Sequence, residues 1–240
     1  MKPNADKSHL FIVNSLGNKI KIGENSVKLL GIIIDNKLSF NEHAKNICKK
    51  ANQKLYALSR IAKYIQSDKL RIIMKAFIDS QFNYCSLTWM FHSRQINAKI
   101  NKLHERALRI VYKDQKLTFE QLLVLDKSHS IHHRNLQKLA VEMFKVKHNM
   151  VPAPLQELFP KYENVFNLRN QRCWQSSNIR TVGFGIDTLA YRGQKTWQLL
   201  PDFIRNSNTL SEFIFKIKKW SPQGCTCRLC KTYIHNVGYI

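Results

Sequence analysis

The sequence predicts a mainly α-helical (α+β) fold, with a small N-terminal antiparallel β meander, a helical bundle and a loop-rich helical C-terminal region. Residues 1–35 hold short apolar runs separated by turn residues, which is typical of strands. Beyond residue 43, apolar residues recur every three or four positions, as one face of a helix requires. Several of these runs follow a capping signature, Ser or Thr with Glu or Gln three positions later.

The N-terminal segment reads as three strands, at residues 9–13, 19–22 and 27–34. The turns between them fall at residues 14–18 and 23–26, where Asn, Ser and Gly are concentrated. Three strands with no helix before them make a poor independent domain. We therefore expect this meander to be part of a larger sheet.

Five helices are expected to follow. The first begins at a capping box over residues 39–42, the second is capped by Ser67, and the third covers residues 95–113. A second capping box over residues 118–121 precedes a short helix, and a longer helix covers residues 130–148. The residues expected to face inward on the second helix are Leu70, Ile73, Met74, Phe77 and Ile78.

Two prolines mark the strongest boundary in the chain. Pro152 and Pro154 stop any helix that reaches them. Residues 161–187 are polar and rich in turn residues, and a helix is expected over residues 188–200. A capping box over residues 209–212 opens the last predicted helix.

The charge balance indicates a polyanionic partner. The chain has 240 residues and carries 39 Lys and Arg against 16 Asp and Glu, a formal net charge of +23. A compact domain does not need such self-repulsion, and nucleic acid would relieve it. At 44% hydrophobic residues, the chain is too apolar for a wholly disordered basic tail.

The same composition argues against membrane and secreted classes. No apolar run approaches the roughly 18 residues of a membrane span, and residues 1–7 lack the apolar stretch of a signal peptide. We expect no membrane partner and an intracellular location, nuclear or cytoplasmic. The six cysteines are then expected to be reduced thiols or metal ligands rather than disulfides.

Basic residues form a stripe on the third predicted helix. The stripe is formed by Lys99, Lys102, Arg106, Arg109 and Lys113. These residues are spaced by three, four, three and four positions, so they share one helical face beside the apolar one. A shorter stripe of two lysines and Asn52 lies on the first helix. A row of cations on a rigid helix can follow a phosphate backbone, whereas the alternative is a solvated helix face. The candidate contact residues are Lys45, Lys49, Lys99, Lys102, Arg106, Arg109 and Lys113.

The C-terminal tail carries a candidate metal site. Cys225, Cys227, Cys230 and His235 provide three thiolates and an imidazole, enough for a tetrahedral structural zinc. Four protein ligands would leave no open position for catalysis. The alternative is a tail with free thiols.

Enzymatic signatures are sparse. The sequence has neither a P-loop nor a Gly-x-Ser-x-Gly nucleophile elbow. A cluster of His129, His132 and His133 is consistent with polar residues at a helix start, and a nuclease site is the alternative.

Several segments match one protein family in order. Residues 3–10 read PNADKSHL, and residues 27–43 read VKLLGIIIDNKLSFNEH. Looser matches follow at residues 76–84, 103–110, 189–201 and 213–220 and at Trp89. Together they resemble the C-terminal part of non-LTR (LINE-type, jockey-like) retrotransposon reverse transcriptases. The first segment is similar to the palm segment after the polymerase active site, with Lys7 as its lysine, and the second to the passage from palm to thumb.

The resemblance implies a domain organisation and a ligand. Residues 1–38 would be a palm remnant, residues 39–150 a thumb-like helical bundle and residues 151–220 a C-terminal helical region, with a zinc knuckle at residues 221–240. A thumb holds a primer–template duplex by its backbone, so RNA or an RNA–DNA hybrid is the expected ligand. The missing palm and fingers of the polymerase would be a protein partner.

The family's "FADD"-like catalytic aspartate motif does not occur in this sequence. The implied function is a truncated RNA-directed DNA polymerase that retains template–primer binding, and Mg²⁺ would be needed only by the full-length polymerase. We therefore expect no primer extension by the purified chain with Mg²⁺ and nucleotides, measured on a labelled primer–template. Robust extension would contradict this interpretation of the palm segment.

Two other functions remain open from the sequence. One is a stand-alone nucleic-acid-binding module with a structural zinc. The other is a non-functional transposon relic whose exposed strand edge would favour aggregation.

Overall fold

The fold is mainly helical, as predicted. The structure, a computed structural model, describes residues 26–90, 93–162, 173–175 and 188–221. The chain forms two compact units, Met1–Ser128 and His129–Ile240. A two-stranded antiparallel sheet precedes the helices, which confirms the predicted fold class. The strands expected at residues 9–13 and 19–22 lie outside the described residues.

The first described element is a tight hairpin. Strand β1 (Ser26–Leu29) pairs antiparallel with β2 (Ile32–Asp35). Leu30 and Gly31 join them, with φ angles of 47° and 87°. A two-residue loop with positive φ at both positions is the turn whose twist suits a hairpin. The prediction of one continuous strand over residues 27–34 is therefore wrong.

A distant tyrosine supports this turn. The hydroxyl of Tyr84 donates a hydrogen bond of 2.6 Å to the carbonyl oxygen of Leu30, across 54 residues of sequence. The left-handed conformation costs a residue such as leucine about 1–2 kcal/mol. A long-range contact thus helps to hold a turn that local sequence preferences disfavour.

Helix α1 (Asn41–Ile61) begins without the predicted capping box. Its N-cap is Phe40, with a φ of 53° and no hydrogen bond from a side chain. The carboxylate of Asp35 instead accepts hydrogen bonds from three backbone N–H groups, those of Lys37, Ser39 and Phe40. Burial would raise the pKa of Asp35, but these hydrogen bonds outweigh it and hold the pKa below its usual value. The capping box expected over residues 39–42 is therefore wrong.

The next helical segment contains a widened turn. Helix α2 (Ser67–Met74) continues through a π-helical stretch, Lys75–Asp79, into α3 (Ser80–Asn83). A short helix, α4 (Ser86–Trp89), follows. Ser67 lies in the first turn of α2, and no side chain caps that helix.

The π-helical stretch changes which side chains face inward. Leu70, Met74 and Ile78 are buried as predicted, but Phe77 is 56% exposed. A π turn contains more residues than an α turn, so it shifts the buried face. The inward face continues through Phe82. The expectation that Phe77 is buried is therefore wrong.

Two capped helices complete the first unit. The hydroxyl of Ser93 accepts from the backbone N–H of Ile96 at the start of α5 (Arg94–Tyr112). Helix α6 (Phe119–Leu125) begins at a complete capping box formed by Thr118 and Gln121, as predicted. Both helices are therefore fixed by signals that the sequence carries locally.

Helices α1 and α5 run parallel in close contact. Arg106 on α5 donates to Asn52 on α1, and Lys113 at the end of α5 donates to the carbonyl of Ile65, which follows α1, so the partners advance in the same direction along the chain. Apolar side chains of the two helices meet here and are buried. They comprise Ala44, Ile47, Ala51 and Leu55 on α1 and Ile96, Ile100, Leu103 and Ala107 on α5.

A buried ion pair ties the far end of α5 to α2 and α6. Arg71 Nε donates to Asp126 Oδ1 at 2.5 Å, and Arg71 Nη2 donates to the carbonyl of Asp126 at 2.6 Å. The Tyr112 hydroxyl donates to the same carboxylate at 2.8 Å. Asp126 is 1% exposed, so its carboxylate is shielded from solvent.

The second unit is built around α7 (Ile131–Lys147), whose N-cap is Ser130. Helices α9 (Leu189–Gln198) and α11 (Leu210–Ile217) pack on it, which assigns α7 to the second unit. The division between the units thus falls before α7, whereas the sequence places a boundary after residue 150. Two shorter helices, α8 (Ala153–Glu157) and α10 (Asp202–Arg205), complete the unit.

Aromatic rings fill the core of the second unit. Trp197 stacks on Phe213 with ring centroids 5.9 Å apart, and Phe144 lies 4.5 Å from the same Phe213 ring. Gly193 lets α9 approach α7, because a Cβ at this position would collide with the thioether of Met143. Among the helices of the described residues, none has the length and apolar character that crossing a membrane requires.

Candidate nucleic-acid interface

A basic groove lies between α1 and α5. It encloses about 740 Å³. Its walls and floor come from both helices. The lining residues are Lys45, Cys48, Lys49, Asn52, Gln95, Ile96, Lys99, Lys102, Leu103 and Arg106.

The two predicted stripes meet in this groove. Lys45, Lys49 and Asn52 step by four and three along α1, so one side of that helix presents all of them. Lys99, Lys102 and Arg106 follow the same spacing on α5. Because the two helices run parallel, their polar rows face each other across the groove. The structure therefore brings together five of the seven candidate contact residues.

The charged side chains that line the groove, among the described residues, are all positive. Its lining, taken from the described residues, includes no acidic side chain. Four lysines of the lining are exposed, and no ion pair or hydrogen bond within the described chain engages their ammonium groups. Unpaired cations confined to one groove raise the local positive potential and attract polyanions.

Arg106 is held in place at one end of the groove. Its Nη1 donates to Asn52 Oδ1 at 3.2 Å, and its guanidinium lies 6.0 Å from the centre of the Tyr56 ring. Arginine is planar and stacks on aromatic rings, so these contacts fix its orientation. The orientation of Arg106 is therefore fixed, whereas the lysines of the groove are free to adjust to a ligand.

The last two candidates on α5 have other roles. Arg109 forms an ion pair with Glu105 at 2.7 Å and donates to the carbonyl of Gln115. Lys113 ends the helix in the left-handed conformation and donates to the carbonyl of Ile65. Neither residue lines the groove. Their inclusion in one continuous stripe with Lys99 is not supported by the structure.

The floor of the groove is chemically inert. Cys48 is fully buried there, and burial raises the pKa of its thiol to about 11, against an opposing effect of Lys99. A thiol with so high a pKa stays protonated at neutral pH and is a poor nucleophile.

Two residues of the site escaped the sequence prediction. Gln95 lies in the first turn of α5 and lines the entrance of the groove. Tyr56 follows Asn52 by four positions, so it continues the polar row of α1. The helical spacing was therefore a signal for Tyr56, although its pairing with Arg106 depends on the fold.

The structure gives no metal site in the residues that it describes. Among them, no group of three or more His, Cys, Asp or Glu side chains is arranged to hold an ion. His132 is buried, whereas the ring of His129 lies 3.3 Å from the carbonyl oxygen of Lys218. The predicted zinc ligands Cys225, Cys227, Cys230 and His235 lie outside the described residues.

Comparison of the chain with protein-family models, curated proteins and solved structures finds no match.

Proposed function

We propose that this protein binds RNA or an RNA–DNA hybrid through the groove between α1 and α5, without reading base sequence. The role corresponds to the thumb of a non-LTR retrotransposon reverse transcriptase, the family that the sequence resembles. In this proposal the groove contacts the sugar–phosphate backbone, which positions a polynucleotide without specifying its bases.

The observation that carries the proposal is the convergence of five cations in one groove. Lys45 and Lys49 on one wall face Lys99, Lys102 and Arg106 on the other, and no acidic side chain lies among the described residues of the lining. Each phosphate that such a cation neutralises releases condensed counterions into solution. This release is the main driving force of binding that is independent of sequence.

The net charge agrees with this role. At +23 the isolated chain repels itself, and a polyanion would reduce that repulsion. Because the lysines of the groove have no intramolecular partners among the described residues, their binding to phosphate would break no ion pair.

The salt dependence of binding tests the proposal. If all five groove cations engage phosphates, log K should fall with log salt with a slope of roughly −4. Fluorescence anisotropy with two RNA–DNA hybrids of unrelated sequence, between about 50 and 200 mM salt, would measure it. We expect the same affinity for both sequences, within a few-fold. Binding that ignores salt, or that differs strongly between the two sequences, would contradict backbone recognition.

A further inference from the structure

An exposed aromatic ring stands at the end of the basic groove. Tyr56 is 56% exposed and follows Asn52 by one helical turn. The Arg106 guanidinium lies beside the ring, and Asn52 holds that guanidinium in place. The exposed remainder of the ring is open to a ligand that runs along the groove.

The groove is short and lies between two adjacent helices. Helices in direct contact have axes roughly 8–10 Å apart. A single sugar–phosphate chain that lies along such a depression can reach the lysines of both walls. Along α5, Gln95 and Arg106 are separated by roughly 16 Å at 1.5 Å per residue. This length spans only a few nucleotides.

We infer that the groove holds a single strand and that Tyr56, backed by Arg106, stacks on an unpaired base at its end. The inference rests on the proposed function, because the lysines must first hold the backbone. The preferred ligand is then a nucleic acid with a single-stranded segment, either a free strand or an overhang next to a duplex.

Stacking explains why an aromatic ring would follow a row of lysines. Lysines follow phosphates of any sequence, and an aromatic face accepts any base, so neither contact requires base readout. A base inside a duplex already stacks on its neighbours and cannot cover Tyr56 without leaving the helix. The ring therefore discriminates between paired and unpaired nucleotides.

Variants of Tyr56 test this inference. Removing one aromatic platform typically lowers affinity for single strands about ten-fold. We expect Tyr56→Ala to weaken binding of a short single-stranded RNA about ten-fold and binding of a blunt RNA–DNA hybrid less than two-fold. Tyr56→Phe should retain wild-type affinity for both, because it keeps the ring.

A second exposed tyrosine of the first unit, Tyr64, provides a matched control. Tyr64 is also exposed, at 78%, and Lys63 lies 4.7 Å from its ring centre, but Lys63 does not line the groove, whereas the Arg106 beside Tyr56 does. Tyr64→Ala should leave both affinities unchanged. An RNA with abasic sites should bind the wild type as weakly as the intact RNA binds Tyr56→Ala.

The outcomes separate the two proposals. If no polynucleotide binds the wild type, the proposed function fails. If every polynucleotide binds with the expected salt dependence, but the wild type does not prefer the single strand or Tyr56→Ala weakens all ligands equally, only the stacking inference fails. An unchanged affinity of Tyr56→Ala for single-stranded RNA would also overturn it.

Discussion

Replacing Lys45, Lys49, Lys99 and Lys102 with Gln should lower the affinity for an RNA–DNA hybrid about a thousand-fold at about 50 mM salt. A typical hydrogen-bonded contact contributes about 1 kcal/mol net, so four contacts contribute about 4 kcal/mol, and 1.4 kcal/mol corresponds to a factor of ten. The salt slope should also become flatter by roughly three, because four fewer phosphates are neutralised. Fluorescence anisotropy at several salt concentrations measures both effects.

The control removes the same charge from elsewhere in the first unit. Lys50, Lys69, Lys75 and Lys116 are exposed and do not line the groove. Changing these four to Gln should alter affinity less than ten-fold. Glutamine is a good helix former, so both variants should stay folded. Equal losses in the two variants would show that net charge alone, and not the groove, attracts the polynucleotide.

Asp126→Ala should destabilise the first unit by about 3 kcal/mol. The substitution leaves the partly buried Arg71 without its carboxylate, and removing one partner of a buried ion pair costs about 3–5 kcal/mol. We expect the lower end because the Arg71 side chain is 35% exposed. Tyr112 also loses its acceptor. Urea titration, followed by hydrogen exchange in peptides from α2, α5 and α6, would report on this unit by itself.

The contribution of Asp126 should depend on pH. Burial would raise the pKa of its carboxyl group, but hydrogen bonds from Arg71 and Tyr112 hold it below the ordinary value of 3.8. A pKa that is lower in the folded state stabilises the protein above the unfolded-state pKa. This stability is lost as the pH falls through the folded-state pKa. The difference between wild type and Asp126→Ala should therefore be full at pH 7 and shrink below about pH 4.

Two further variants refine this test. Asp126→Asn keeps one oxygen acceptor and should cost less than Asp126→Ala. Asp68→Ala removes an acidic residue from the first turn of α2, where the carboxylate is exposed, and should cost about 1 kcal/mol or less. If Asp126→Ala is no worse than Asp68→Ala, the buried network does not stabilise the unit.

The sequence predicted the two basic stripes, and the fold brings them together in one groove. Spacing alone identified Lys99, Lys102 and Arg106, because helical geometry fixes which residues share a face. It also included Arg109, yet Glu105 lies four positions earlier and pairs with it. Such a pair is visible in the sequence. The sequence did not predict that Lys113 would cap α5 and bond to Ile65, because this depends on where the helix ends.

Two local predictions failed because residues outside the predicted motif decide those structures. Leu30 does not suggest a turn, and the hairpin there is supported by Tyr84 from beyond α3. The residues 39–42 match a capping box, but Asp35 already satisfies the neighbouring N–H groups. Short-range rules describe α5 and α6 well because their caps are complete within four residues.

The parallel arrangement of α1 and α5 gives the groove a polarity. Parallel helices align their macrodipoles, so both positive ends lie at the same mouth of the groove, each equivalent to roughly half an elementary charge. Asp35 and Glu42 offset this at the start of α1, whereas the first turn of α5 contains no acidic residue. The dipole of α5 therefore adds to the attraction for an anion at the mouth beside its first turn, where Gln95 lies. A phosphate is favoured at that mouth, and a base can stack on Tyr56 beside Arg106 at the other.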